Sequence, residues 1–253
     1  MKTNTKKISL TILAIIAVAA LIIFASKNLL GKNNAKIGDV VAKNATAEKP
    51  KIIEGETANL LKLMPSDVVL GDKNATVTII EYASLSCPHC ATFYSDGFPK
   101  LKEEYIKTGK VKFVYRDFPL NQPALVAGVL SLCQVNDRDA DAEKYYDFIK
   151  VLFRTQESWA FVEDFTAKLG TIAKLDGMSD ERFNSCIKNS KLQEDILKRR
   201  IAAAQTLQIS STPTFFVNGE TLGGYGGYGE LKNVIEKKLS QTFLVPTNPI
   251  SKQ

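Results

Sequence analysis

Residues 80–91 read Ile-Glu-Tyr-Ala-Ser-Leu-Ser-Cys-Pro-His-Cys-Ala, and no other stretch constrains the fold as much. An apolar strand pattern, Ala75 to Tyr82, gives way here to a helical one in which Cys90, Phe93, Tyr94, Leu101 and Tyr105 recur at helical spacing. Pro88 suits the first helical position, where no N–H is needed. Cys87 therefore stands at or just before a helix N-terminus with Cys90 one turn inside, and residues three apart on a helix are neighbours. The two sulfurs can bond to each other.

That placement has chemical consequences. The unpaired N–H groups and the positive end of the helix favour a thiolate at Cys87 over a thiol. His89, the one histidine of the chain, adds donor character or positive charge nearby. A cysteine so placed titrates below its usual ~8.5, and each unit below ambient pH stabilises the reduced form by roughly 1.4 kcal/mol. For a two-electron couple that is about 30 mV toward a better oxidant. The motif reads as a disulfide donor. A zinc half-site is the other reading of Cys-x-x-Cys, but it needs four ligands at compatible spacing. Cys133 and Cys186 lie far apart and form no second Cys-x-x-Cys, while His89 falls between the two supposed ligands. No metal is expected.

The net charge of +6 lies in one place. Residues 1–55 hold nine lysines against three acidic residues, whereas the remainder has 24 basic and 24 acidic residues. That distribution offers no basic face for nucleic acid. Lys2, Lys6 and Lys7 precede an uncharged, largely apolar run from Ile8 to Ala25. This is the pattern of a secretory signal peptide or of an uncleaved membrane anchor, residues 1–25. Ala17-Val18-Ala19 offers a small-residue cleavage site, but Leu21 to Phe24 come at once after it. Residues 26–66, rich in Lys, Asn, Ala and Glu, read as a flexible tether with a short ordered piece around 37–42.

Beyond the tether the pattern is strand, helix, strand, with Val68–Leu70 as a short edge strand, Ala75–Tyr82 next and Lys110–Arg116 alternating cleanly. Pro99 inside the intervening helix is expected to kink it. From Gln122 to Leu207 almost nothing reads as strand. Helical patterns start at Pro123 and cover Ala142–Phe153, Phe161–Ala173, Ser179–Asn189 and Leu192–Leu207, with Ser179 as an N-cap. Cys133 and Cys186 fall on helices of this block. An even cysteine count in an exported chain favours a structural disulfide between them over two separate buried thiols. Thr214–Val217 then makes a strand, Asn218-Gly219 a hairpin turn, and Glu220–Leu222 the return. The glycine-rich run 223–229 lacks a Gly-Lys-Ser/Thr ending, so it is a turn and not a phosphate loop. Leu231, Val234, Ile235 and Leu239 stripe a closing helix, and a loose tail comes after Phe243.

Glu81 to Cys90, with Arg116-Asp117-Phe118-Pro119 and Ser211-Thr212-Pro213-Thr214-Phe215-Phe216-Val217-Asn218-Gly219 downstream, resembles the DsbA family of bacterial thiol–disulfide oxidoreductases over roughly residues 67–245. The resemblance implies an α/β, thioredoxin-like fold, residues 67–120 and 208–245, interrupted by an all-helical insertion domain, residues 121–207. It implies a cis Pro213 whose loop faces the Cys87–Cys90 disulfide, with Thr212 touching the sulfur. It makes Glu81 an acid beside the active site that relays the proton of Cys90; a solvated strand-end charge is the plainer reading. Exported proteins with free thiols are the implied substrates, the periplasm the implied location, and a DsbB-like membrane quinone reductase the implied reoxidant. A monomer without cofactor is expected, touching the membrane only through residues 1–25 if these are uncleaved. An isomerase or reductase, or a redox-inert chaperone or binding module of the same fold, are the alternatives. The DsbC-like isomerases carry a structured dimerisation domain, for which the tether is too short and too polar.

Overall fold

A computed structural model describes residues 54–136 and 140–243. The stretches read from the sequence as an export segment, most of the one read as a tether, the piece expected at 37–42 and the expected C-terminal tail lie outside the described residues. Five strands form one sheet in the order β1-β3-β2-β4-β5: β1 (Val69–Leu70), β2 (Val77–Ala83), β3 (Val111–Asp117), β4 (Thr214–Val217) and β5 (Glu220–Gly223). The central pair β2 and β3 is parallel, with Glu81 opposite Tyr115. β4 runs antiparallel to β2, and β1 antiparallel to β3. Parallel strands need a crossover, and it is supplied by a helical run that starts as α2 (Pro88–Thr92) and includes α3 (Phe98–Leu101). The run does not break at Pro99. It widens into π turns at Phe93–Gly97 and Lys102–Ile106 on either side of α3, whose first turn holds Pro99.

Successive strand residues point to opposite faces, and that alternation sorts the core. Ile79, Ala83, Phe113, Tyr115, Phe215 and Val217 face one way, toward Cys90, Phe93, Tyr94, the insertion and α9 (Tyr228–Phe243). Ile80, Tyr82, Val114 and Phe216 face the other, toward Ala203 and Ile209. The β4–β5 hairpin turns through Asn218 and Gly219, both at positive φ, as a two-residue turn requires. Asn218 is also fastened to β2, accepting from the Thr78 N–H at 2.7 Å and donating to the Thr76 carbonyl at 3.1 Å. This is the thioredoxin-like arrangement.

Between β3 and β4 the chain is helical: α4 (Gln122–Cys133), α5 (Ala142–Arg154), a 3-10 turn (Gln156–Ser158), α6 (Phe165–Leu175), α7 (Asp180–Ile187) and α8 (Ser190–Thr206). Asn121, Ser179 and Asn189 cap α4, α7 and α8, each side chain accepting from the backbone N–H three residues on. Asn189 therefore closes the α7 pattern two residues early and opens the next helix. α6 starts four residues later than its periodicity predicts: Phe161 is 63% exposed, so its apolar spacing reflected no buried face. On α5, the Tyr146 hydroxyl donates to the Val68 carbonyl at 2.8 Å and accepts from the Tyr115 N–H at 2.9 Å. One insertion side chain thus pins strand and edge.

The last residues of the segment read as a tether are ordered. They contain α1 (Glu54–Leu60), and Arg116 on β3 holds the stretch between α1 and β1. Its guanidinium donates to the Leu60 and Lys62 carbonyls, to the Tyr82 hydroxyl and to the Asp67 carboxylate. The Arg116–Asp67 pair is 2.8 Å apart with both side chains 5% exposed. Polar composition hid this, because the anchoring group lies about fifty residues downstream.

Candidate active site

Cys87 is the N-cap of α2, with extended backbone angles. Its N–H donates to the Ser84 carbonyl at 2.9 Å and its carbonyl accepts from Ala91 at 3.1 Å, so the turn before the helix is closed on both sides. Cys87 and Cys90 are both buried and unbridged. Pro88 and His89 between them are exposed. The Thr212–Pro213 peptide bond is cis, and it brings the Thr212 carbonyl oxygen to 3.3 Å from Cys87 Sγ, which donates to it as a thiol.

The two sulfurs are driven apart in acidity. Cys87 is lowered from 9.0 to about 5, first by the Cys90 thiol donating to it, and further by the Thr212 side chain and the backbone N–H groups of Cys90 and His89. Burial opposes this and loses. The Thr212 hydroxyl is buried without a hydrogen-bond partner and lies close enough to favour the thiolate. Of His89, the backbone amide is what reaches the sulfur; the sequence had pointed to its ring. Cys90 is pushed far up by burial, by its hydrogen bond to Cys87 and by the charge of Glu81.

Glu81 is fully buried, on the β2 face that looks toward Cys90. It is no solvated strand-end charge. Burial raises its pKa well above the usual carboxylate range, and a charged Cys87 pushes the same way. The Tyr94 hydroxyl lies close enough to favour the charged form without closing a hydrogen bond: Tyr94 Oη and both Glu81 oxygens are buried without a partner.

Sequence reasoning missed Gln156. This buried side chain of the 3-10 turn donates from Nε2 to the Leu85 carbonyl at 2.7 Å and to the Cys87 carbonyl at 3.1 Å. Ser84 was also missed; its hydroxyl accepts from Leu120 N at 3.2 Å and lies 3.1 Å from the Ser86 hydroxyl. Cys133 and Cys186 stand apart from the active site, their sulfurs 2.19 Å and their Cα atoms 6.2 Å apart, within the span of a disulfide. Among the described residues, no group of three or more His, Cys, Asp or Glu is placed to hold a metal ion.

A family model described as "Thioredoxin" matches residues 64–237. Disulfide bond formation protein D of Bacillus subtilis is 30% identical over 183 residues, covering 68% of this chain and 76% of the relative. The crystal structure of Wolbachia pipientis alpha-DsbA1 superposes with a TM-score of 0.68 at 36% identity, covering 74% of this chain and 98% of that one. The chain is a DsbA-type member of the thioredoxin family. A putative protein-disulfide oxidoreductase of Rickettsia felis is 31% identical over 180 residues, and the match takes in 71% of this chain but only 63% of that relative's length. The DsbA-type likeness and the geometry meet at the same residues: the matched region contains β2, the Cys87–Cys90 turn, the helical insertion and the cis Pro213 loop.

Proposed function

We propose that this DsbA-type protein donates its Cys87–Cys90 disulfide to thiols of exported proteins. A substrate thiolate attacks Cys87 Sγ, the bond to Cys90 breaks, and a mixed disulfide forms. Cys90 leaves as a strongly basic sulfur and must take a proton. Glu81, whose pKa burial raises, is the acid within the same apolar layer to give it. A second substrate thiolate then attacks the mixed disulfide and expels Cys87. The products are an oxidised substrate, Cys87 as thiolate and Cys90 as thiol. Two electrons enter the protein; of the two substrate thiol protons, one replaces the proton that Glu81 gave to Cys90 and the other is released.

The observation that carries this reading is the placement of Cys87 at the helix N-cap with Cys90 buried one turn inside, because it stabilises a Cys87 thiolate that is both a good leaving group and a reason for the disulfide to be reduced. Thr212 positions the attacked sulfur, and Pro213 leaves neighbouring backbone groups for an extended substrate. The Cys133–Cys186 pair serves as a structural bridge within the insertion. Residues 1–25 direct export to the periplasm or hold the protein at the membrane, the protein acts as a monomer, and a DsbB-like quinone reductase restores the disulfide. Neither metal nor organic cofactor takes part. The test is direct: oxidised protein mixed with a reduced, unfolded secreted polypeptide should consume substrate thiols stoichiometrically, and Cys87→Ala should not. Substrate thiols that persist beside intact Cys87–Cys90 disulfide would refute the donor role.

A further inference from the structure

A groove of about 850 Å³ opens beside the reacting cysteine. One wall is the outward face of the helical run, Pro88, Ala91, Ser95 and Pro99; the other is the end of α5 and the turn after it. The stacked rings of Tyr94 and Phe153, centroids 4.4 Å apart, contribute to its lining. Gln156 lines it too while holding the Cys87 carbonyl. The groove therefore starts one residue from the sulfur that is attacked, and whatever fills it is continuous with the group that reacts there.

Its charged lining is Lys150, Arg154 and Glu157, all exposed. Ten of the seventeen lysines among the described residues hold a carboxylate within 4 Å. Among the described residues Lys150 and Arg154 hold none, although Asp147 and Glu157 lie three residues away from them along the chain. A cation in the last turn of α5 has a local reason in the helix dipole, but that reason leaves the outward charge available to a partner.

We infer that this groove receives an acidic, extended stretch of the substrate polypeptide next to its reacting cysteine, with Lys150 and Arg154 selecting for acidic side chains and Glu157 opposing them. The inference rests on the donor function and names the substrate class that function prefers. Rim charges of this kind act on encounter and are screened by salt within about 10 Å, so the selection should fade as ionic strength rises.

The test uses the oxidised full chain and three synthetic peptides, each with the same cysteine pair and apolar residues, flanked by Asp/Glu, by neutral residues or by Lys. Each rate of peptide oxidation is divided by that of the same peptide with the uncharged 2-hydroxyethyl disulfide, which removes the effect of the flanks on thiol acidity without adding a charge of its own. At low ionic strength the acidic peptide should outrun the lysine peptide by about three- to tenfold, and high salt should bring the ratio toward one. The Lys150→Glu/Arg154→Glu variant should invert the ratio and Glu157→Gln should raise it. A ratio within one protein is insensitive to a general loss of activity. Lys150→Gln gives a smaller shift of the same sign if the double variant fails to fold. A low-salt ratio of one in the wild type, or ratios that the substitutions do not move, would overturn the groove assignment. Failure to oxidise any peptide or dithiothreitol would overturn the donor function instead.

Discussion

Titrating the reduced protein from pH 9 to pH 4 should remove a stabilisation that the oxidised protein never has. Cys87 is lowered from 9.0 to about 5 in the fold, so the native state prefers its thiolate. A group depressed in this way stabilises fully above its unfolded pKa and loses the effect as pH falls through the folded one. Four units of displacement correspond to no more than about 5.4 kcal/mol above pH 9, at ~1.36 kcal/mol per unit. At pH 7, two units above the folded value, about 2.7 kcal/mol remains, and below pH 5 almost none. The same 2.7 kcal/mol raises the reduction potential by about 60 mV. The assay is denaturant unfolding of the reduced protein against a Cys87→Ser reference at each pH, with thiolate absorbance recorded in parallel. The stability difference should climb by about 1.4 kcal/mol per unit between pH 5 and pH 9. A flat difference across that window, or a thiolate transition centred near 8–9, would refute the reasoning.

Glu81→Gln should slow the single-turnover oxidation of a small dithiol by about 100-fold at pH 7, because an amide cannot protonate the departing Cys90. Its unfolding midpoint should not drop, since burial disfavours the carboxylate and the amide carries no charge to bury; equal rates in the variant and wild type would remove Glu81 from the mechanism. Arg116→Met should cost about 3–5 kcal/mol in urea unfolding by leaving the buried Asp67 carboxylate uncompensated, and Asp67→Leu added to it should restore much of the loss. If Arg116→Met alone is neutral, the anchor on residues 60–67 is not what holds them. Gln156→Ala should destabilise by about 1–3 kcal/mol by freeing two buried carbonyls and should speed amide exchange across Ser86 and Cys87; unchanged exchange there would show that the insertion does not brace the active-site turn.

How much the chain reveals in advance depends on the range of the interaction responsible. Alternation along Lys110–Arg116, the Asn218-Gly219 turn and the strand-to-helix change around Cys87 are local, and each was legible because a few neighbouring residues decide it. Glu81 drew notice at its position six residues before Cys87, but its neighbour Tyr94 read only as one more apolar residue of a helix, because a phenol inside a core looks like packing. Gln156 gave no signal at all: an isolated glutamine after a helix is ordinary, and its partners Leu85 and Cys87 are about seventy residues away. Arg116 lay within a recognised motif, yet nothing near it indicated that it would fasten residues 60–67. Phe161 misled in the other direction, since apolar spacing alone does not say that a ring is covered.

The division of labour between the two cysteines follows from placement acting together with burial. Cys87 is 4% exposed and Cys90 0%, so desolvation presses both toward the neutral form. A difference of one helical turn decides the outcome. At the helix cap, Cys87 meets the amides of His89 and Cys90, the Cys90 thiol and the Thr212 side chain, and these donors outweigh the cost of burial. One turn inside, burial presses Cys90 hardest toward its thiol, and the Cys87 sulfur and an ionised Glu81 push the same way. The same hydrogen bond, from Cys90 to Cys87, lowers one group and raises the other. Removing that donor by Cys90→Ala must therefore weaken the Cys87 thiolate while leaving the helix-end amides in place. The Cys87 midpoint should move up from about 5 yet stay below the ~8.5 of a free cysteine. An unmoved midpoint would mean that the helix end alone sets it, and a midpoint at the free value would mean that the helix end contributes nothing.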